Sequence, residues 1–293
     1  KQAKTRRPGR LRETRVSEAA EVLHFYCVDA SAAFPEKQPS AGPGNEKQLN
    51  PATNRVPRRA RTTSRQEAQP AAKMNIFRFA GDMSHVVSIL VLLLRLRSSK
   101  SAVGISLKTQ ELFLIVFVTR YLDLFTTFYS LYNSFMKVAY IASTTYIIWM
   151  IRFQEPYKSK YDASQDSFLH IKFAVAPCAG LALFACLVKG ELSPIDILWT
   201  FSIFLEALAI VPQLFVLQRY REVENLTGHY VFFLGAYRGL YILNWVYRSY
   251  YEQFYRHNWL VYVSGAVQTA LYVDFFYYYV VSKYYGGKLT LPT

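Results

Sequence analysis

Ten ionisable side chains fall inside the long apolar runs that make up the second part of this 293-residue sequence. Charged groups at membrane depth are costly, usually face the interior of a helix bundle, and by default indicate a functional site. Arginine can bind a carboxylate through two parallel hydrogen bonds, and histidine can change its charge between about pH 5 and 7. The ten residues are Arg78, Asp82, His85, Arg120, Asp123, Asp196, Glu206, Arg238, Arg248 and Asp274.

Four of the ten are arginines, and together they predict a cavity with excess positive charge. Such a cavity suits an anionic ligand with planar carboxylates, because the planar guanidinium matches a carboxylate in shape and charge. A histidine in the same set, His85, predicts a proton switch that works at mildly acidic pH.

Less specific interpretations of the same residues stay open. Arg120 and Asp123 are three positions apart on one helix face and could form a structural salt bridge with each other. Arg78 and Arg248 lie near the ends of their apolar runs and could simply extend their charges to the membrane surface. His85 could be a hydrogen-bonded histidine of the bundle with no switching role.

The apolar runs begin after Met74, where the composition changes abruptly. Residues 1–73 hold 15 Lys or Arg, 7 Asp or Glu and one apolar run of seven residues, whereas ~20 residues are needed to cross a bilayer. We predict that this segment is a disordered or non-native N-terminal extension and that residues 74–293 form a membrane domain. The extension carries +8 of the net charge of +14, and the rest lies mostly in short loops. Nucleic acid is therefore not a predicted partner.

Apolar runs of about 18–22 residues predict seven membrane-spanning helices. Pro177 and the pair Pro212–Gln213 predict kinks, because proline removes a helical hydrogen bond and a buried glutamine can satisfy the freed groups. A Pro-Gln pair in this position resembles the PQ-loop transporters. The predicted fold class is therefore an all-α membrane protein with a PQ-loop or SWEET-like pair of three-helix bundles and a linking helix. The predicted spans are 75–94, 110–129, 133–152, 168–188, 194–215, 229–249 and 259–281.

The loop charges predict the orientation in the membrane, since positive residues concentrate on the cytosolic side. Eleven Lys or Arg follow the first, third, fifth and seventh predicted spans, against five on the opposite face, among them Lys137. The Met74 end is therefore predicted to be lumenal and the C-terminus cytosolic. In this orientation, the deepest polar groups lie below a lumenal opening and Asp274 lies closer to the cytosol. The deepest groups are His85, Arg120, Glu206 and Arg238.

Several long motifs after Met74 resemble the ER lumen protein-retaining receptor family, the KDEL/HDEL receptors. They are "MNIFRFAGDMSH", "TRYLDLF", "YSLYNSFMKV", "ILWTFSIFLEALAIVPQLF", "GAYRGLYILNWVYR" and "GAVQTALYVDFFYYY". The resemblance covers residues 74–293, and residues 1–73 match nothing in that family.

This resemblance implies a receptor that captures escaped ER proteins by a C-terminal Lys/His-Asp-Glu-Leu signal in the acidic Golgi. It would return with them in vesicles that carry a COPI-type coat and release them at the near-neutral pH of the ER. Its partners would be those proteins, membrane lipid and the coat. The signal carries three carboxylates, which agrees with several arginines facing one opening.

The resemblance also assigns roles to individual residues. Arg78, Arg120 and Arg248 would hold the terminal carboxylate, and Tyr121 and Trp245 would line the pocket. The first residue of the signal would meet Asp123, Asp196 and Trp199, although Asp196 stands where the family has glutamate. His85 would sense pH together with Glu206, Tyr237 and Arg238. Coat binding and sorting would fall to Asp274, Lys283 and Lys288.

Two other functions stay open. One is a PQ-loop transporter for a small anion or proton-coupled solute, and the other is a receptor-like protein with different cargo. A transporter needs alternating access, whereas a receptor needs a lumenal site that is closed to the cytosol. An enzyme is not predicted, because no nucleophile, metal-ligand spacing or cofactor loop accompanies pairs such as His85 and Glu206. No cofactor or metal is expected.

Overall fold

The structure is a computed structural model that describes residues 75–125, 131–190, 192–252, 255 and 257–291, without the side chains of Asp123, Phe125 and Tyr132. The predicted extension at residues 1–73 and Met74, the first residue of the predicted membrane domain, lie outside these ranges.

The described chain is mostly helical. Its α-helices are α1 (Ile76–Ser99), α2 (Leu107–Arg120), α3 (Leu131–Phe153), the single turn α4 (Tyr157–Lys160), α5 (Ala176–Lys189), α6 (Pro194–Leu208), α7 (Val211–Tyr220), α8 (Asn225–Tyr251) and α9 (Trp259–Tyr285). Two short antiparallel strands, β1 (Glu222–Val223) and β2 (Leu289–Thr290), join the segment before α8 to the segment after α9.

Among the described residues, four helical stretches are long and apolar enough to cross a membrane: Ile76–Ser99, Asn133–Phe153, Ile171–Lys189 and Pro194–Tyr220. The chain is therefore a mostly helical protein with four candidate membrane spans. α8 and α9 have 27 residues each, but their many tyrosines make them less apolar. Seven spans, arranged as two three-helix bundles, stay a prediction.

α2 ends earlier than the predicted span of residues 110–129. The helix stops at Arg120, and a 3-10 turn follows at Leu122–Phe125. The Tyr121 N–H closes the helix by donating to the Phe117 carbonyl at 2.9 Å. Hydropathy reports how apolar a run is, not where its hydrogen-bond ladder ends, so the prediction of one continuous helix was wrong. Asp123 consequently lies beyond α2 and not on its face.

Both predicted proline breaks lie where a helix is interrupted. Pro212 is the second residue of α7, after a break at residues 209–210. Pro177 is the second residue of α5, directly after the π-helical turn Ile171–Val175. Because Pro177 has no N–H for the carbonyl four residues earlier, the ladder widens, and the Ala176 N–H donates to the Ile171 carbonyl.

Gln213 is fully buried and ties α7 to the segment at the start of α2. Its Nε2 donates to the Gly104 carbonyl at 2.7 Å, and its Oε1 accepts from the Ser106 N–H at 2.8 Å. Its own N–H donates to Thr109 Oγ1 at 2.9 Å. The glutamine therefore forms hydrogen bonds with backbone groups of a neighbouring segment. The sequence had suggested that it would bond the helical groups freed by the adjacent Pro212.

α1 and α8 form the most extensive helix pair among the described residues. They run antiparallel, with Asn75 Nδ2 donating to Asn244 Oδ1 at 2.6 Å near one end. Further along, Ser84 Oγ donates to the Phe233 carbonyl at 2.9 Å. This pairing fixes the register in which the polar residues of α1 face those of α8.

Arg95 closes the other end of this pair and is only 4% exposed. It forms an ion pair with Glu224 at 2.7 Å and donates to Thr227 Oγ1 at 3.2 Å. It also donates to the carbonyls of Ser101 at 2.6 Å and Val103 at 2.8 Å. The guanidinium is therefore saturated with acceptors, as a buried charge requires.

Candidate functional site

Glu206 of α6 is the centre of a buried ion-pair cluster and is 4% exposed. Its carboxylate pairs with the guanidinium groups of Arg120 and Arg238 and accepts a hydrogen bond from the Tyr237 hydroxyl at 2.8 Å. Arg120 Nε also donates to Ser202 Oγ at 3.1 Å, and Arg238 Nε donates to the Tyr237 hydroxyl at 2.8 Å. Two arginines share one carboxylate, so the cluster keeps a net positive charge.

His85 lies beside this cluster, between two tyrosine rings. Its imidazole is parallel to the Tyr237 ring, with centroids 4.5 Å apart and 7° between the planes. On its other side the Tyr140 ring lies 4.7 Å away at 19°. Within the described part of the chain, neither ring nitrogen of His85 forms a hydrogen bond. A change of charge on His85 would therefore act through Tyr237, which links it to Glu206.

Arg78 is the most deeply buried of the candidate arginines, at 2% exposure. Its Nε has no hydrogen-bond partner among the described residues, and no described carboxylate forms an ion pair with it. One Nη of Arg120 is also buried without a described partner. The guanidinium of Arg78 does not extend to the surface, so burial argues against the interpretation of Arg78 as a surface anchor.

Arg248 lies one helical turn beyond Asn244 on α8 and is 7% exposed. Its Nε donates to Glu252 Oε2 at 2.9 Å, and its guanidinium lies over the Tyr255 ring, 4.6 Å from the centroid. The Asn75–Asn244 hydrogen bond brings the start of α1 to this level, so Arg78 and Arg248 lie at the same end of the α1–α8 pair.

Two of the three predicted contacts for the first residue of a signal, Asp196 and Trp199, lie at the start of α6. Asp196 is half-buried in the first helical turn. Trp199, one turn on, packs into a small apolar cluster with Trp245, which is 6% exposed. Tyr121 lies parallel to Phe117 with centroids 5.8 Å apart. The side chain of Asp123 lies outside the described residues.

The three predicted coat-binding residues make no contact with the Glu206 cluster among the described residues. Asp274 is exposed on α9. Lys283 donates to Asn225 Oδ1 at 3.1 Å, and Lys288 pairs with Glu222 at 2.9 Å across the β1–β2 ladder. The two lysines lie at the end of the molecule that also holds Arg95.

Some polar residues of the site were not predicted from the sequence. Lys137 was counted among the loop charges, but it is buried in α3 at 9% exposure, with its Nζ 5.5 Å from the centre of the Tyr121 ring. Its position one and a half turns inside an apolar run was the available signal. Tyr241, which donates to Asp82, and Ser202, which supports Arg120, carried no signal in the sequence.

The arrangement as a whole suits the binding of an anion more than a chemical reaction. A buried arginine without a described counterion and a two-arginine cluster around one carboxylate both lower the energy of an entering carboxylate. The glutamate is held by three donors, and the histidine ring is enclosed by aromatic groups. In the part of the chain that the structure describes, neither lies beside a nucleophile that it could activate as a general base.

Comparison with known proteins gives consistent similarities. The sequence model of a family described as "ER lumen protein retaining receptor" matches residues 101–248. The ER lumen protein-retaining receptor of Petunia hybrida is 52% identical over 219 residues, which cover 75% of this chain and 100% of the relative. ER lumen protein-retaining receptor 2 of Gallus gallus is 50% identical over 222 residues, which cover 75% of this chain and 100% of the relative. The ER lumen protein-retaining receptor of Plasmodium falciparum is 46% identical over 219 residues, which cover 75% of this chain and 98% of the relative.

Proposed function

The chain belongs to the family of ER lumen protein-retaining receptors, and from that premise we propose that it binds the C-terminal Lys/His-Asp-Glu-Leu signal of escaped ER proteins. Binding takes place in the acidic Golgi lumen and release takes place in the ER. The receptor acts without chemical change to its cargo, and its place is in the membranes of the ER and Golgi.

The observation that carries this proposal is the buried guanidinium of Arg78, which has no counterion among the described residues. A buried charge without a partner costs several kcal/mol, and an entering carboxylate removes that cost. The C-terminal carboxylate of a peptide is such a group. Arg248 at the same end of the α1–α8 pair and Arg120 below complete a set of three arginines for the chain end.

The other end of the signal carries a Lys or His, and acidic and aromatic groups suit it. In the proposal, Asp196 and Asp123 neutralise this positive charge, and Trp199 contacts its aliphatic or aromatic portion. Tyr121 and Trp245 line the pocket between the two ends. A bound peptide thus extends from the arginines to the start of α6.

The pH dependence follows from His85 and its contact with Tyr237. We assign the bound state to protonated His85. A positive charge there attracts the tyrosine faces and repels the nearby arginines, so the bonds of Tyr237 to Glu206 and Arg238 change. If only the protonated form binds, affinity falls by up to tenfold for each unit of rising pH.

Return to the ER needs contact with the coat on the cytosolic side. The proposal places the end of the molecule that holds Lys283 and Lys288 in the cytosol, and the start of α1 in the lumen. The two lysines and Asp274 are the candidates for coat binding and sorting.

A peptide-binding experiment tests the proposal directly. Peptides ending in KDEL and HDEL are titrated against the purified full chain at pH 5.4 and 7.4, each beside a copy with an amidated C-terminus. The free acids bind tightly at pH 5.4 and weakly at pH 7.4, and amidation abolishes binding. Equal affinity of acid and amide refutes the assignment of the arginines to the chain end.

A further inference from the structure

A groove of about 440 Å³ opens where the ends of two candidate membrane spans meet. One wall is the start of the stretch Ile171–Lys189, and the other is the end of the stretch Pro194–Tyr220. Its lining includes Phe168, Phe173, Pro212, Phe215 and Arg219. None of the lining residues belongs to the Glu206 cluster, so this groove is separate from the proposed signal site.

The floor of the groove is aromatic and open to the surroundings. The Phe168 ring stacks against Phe215 with centroids 5.6 Å apart and contacts Phe173 at 6.2 Å. Phe173 belongs to the π-helical turn and is 55% exposed, and Phe215 is 47% exposed. Exposed aromatic rings next to the end of a membrane span suit a hydrocarbon chain better than water.

The mouth of the groove carries a fixed positive charge. Arg219 Nη1 donates to the carbonyls of Ser164 at 2.9 Å and Gln165 at 3.0 Å, which hold the guanidinium in place. Its Nε and Nη2 form no hydrogen bond within the described residues, so they are available to a ligand. Lys172, the chain neighbour of Phe173, places its Nζ 5.7 Å from the centroid of the Phe173 ring.

One acidic residue also lines the groove, and hydrogen bonds from the protein already hold its carboxylate. Asp166 is 1% exposed. Its carboxylate accepts hydrogen bonds from Ser106 Oγ at 2.9 Å, from the Tyr161 hydroxyl at 2.7 Å and from the Lys108 N–H at 3.3 Å. Three donors within the protein therefore stabilise this carboxylate, whereas Arg219 keeps a free edge for a ligand.

We propose that this groove binds an anionic glycerophospholipid from the leaflet at this end of the two spans. The phosphate pairs with the free edge of Arg219, a geometry in which arginine can form two parallel hydrogen bonds. One acyl chain lies over Phe168, Phe173 and Phe215. The aromatic floor, the fixed cation and the position at a membrane surface each favour a lipid over a soluble anion.

Lipid titration of the full chain in detergent, followed by native mass spectrometry, tests this site. Phosphatidylinositol and phosphatidylcholine with the same acyl chains are compared for the wild type, Arg219→Gln and Arg221→Gln. Arg221 is the matched control, because it is an exposed arginine two residues away that does not line the groove. We expect the dissociation constant for phosphatidylinositol to rise about tenfold in Arg219→Gln and less than twofold in Arg221→Gln.

A second pair of variants separates the loss of the site from the loss of the fold. Phe173→Ala removes part of the floor without touching Arg219 and should weaken phosphatidylinositol binding several-fold, whereas Leu181→Ala, at a similarly exposed position of α5, should not. Excess inorganic phosphate should fail to displace the lipid. Equal effects of each variant and its control, no preference for phosphatidylinositol, or displacement by phosphate alone would each overturn the proposal.

Discussion

Replacing Arg78 by methionine should separate the two roles that a buried arginine can have. Methionine keeps much of the length and apolar volume of the side chain and removes the charge. The guanidinium of Arg78 is 2% exposed and has no described counterion, so its removal relieves a desolvation cost. We expect the ligand-free variant to be as stable as the wild type or more stable by about 1–3 kcal/mol.

The same change should remove much of the affinity for the signal. A carboxylate left in a buried site without its arginine costs about 3–5 kcal/mol, which corresponds to a loss of at least about 100-fold in affinity. Peptide titration at pH 5.4 measures this loss, and the apparent melting temperature of the ligand-free protein in detergent measures stability.

Arg95→Met is the matched control, because Arg95 lies on the same helix and is 4% exposed. It differs in having an ion pair with Glu224 and hydrogen bonds to Thr227, Ser101 and Val103. Its loss should therefore lower stability by about 3 kcal/mol, or about 6–12 °C in melting temperature. If Arg78→Met lowers the melting temperature as much as Arg95→Met does, Arg78 is a structural residue and the reasoning fails.

Three further changes test other parts of the structure. His85→Ala should flatten the dependence of signal affinity on pH, because the wild type gains up to about tenfold per unit of falling pH through protonation; an unchanged slope in the same titration excludes this histidine as the sensor. Gly265→Ala places a Cβ 2.6 Å from the indole of Trp245, which lines the proposed site. The indole must move, so the affinity for the signal should fall about tenfold. Gly239→Ala, with open space at its Cβ, should leave that affinity unchanged, and equal effects of the two alanines contradict the packing argument. Gln213→Leu leaves the Ser106 N–H and the Gly104 carbonyl buried without a partner, so it should lower the free energy of unfolding by about 2–5 kcal/mol, measured by thermal unfolding. Gln218→Leu, on the exposed face of the same helix, should leave the free energy of unfolding almost unchanged.

The types of buried residue could be predicted from the sequence more reliably than their partners. A charge inside an apolar run predicts burial in a bundle. Arg78 and Glu206 are buried, and the side chains of Arg120 and Arg238 are only 13% and 11% exposed. Asp274 is the exception, because it is exposed on α9. That Arg120 meets Glu206 is different, because the two residues are 86 positions apart. Such a contact depends on how two helices pack, which the spacing along one chain does not report. The sequence could suggest only the nearby Asp123 as a partner for Arg120, and the pairing with Glu206 came from the packing of α2 against α6.

The helix ends also depended on information outside local composition. The early end of α2 comes from a 3-10 turn, and the widened turn before α5 comes from one missing N–H at Pro177. The second could have been predicted from the proline alone, since the ring removes a donor wherever it lies. The first could not, because the residues after Arg120, although less apolar than those before it, still contain enough Leu and Phe to extend a predicted span.

The pairing of α1 with α8 also has a consequence for biosynthesis. Thr227, which binds the guanidinium of Arg95, follows it by 132 residues, and ribosomes add about 5–20 residues each second. α1 must therefore enter the membrane and wait on the order of ten seconds, with Arg78, His85 and Arg95 exposed, until α8 has been made. During that interval a membrane chaperone or the translocon itself has to shield the first helix, and chains that stop before α8 should be recognised as incomplete and degraded.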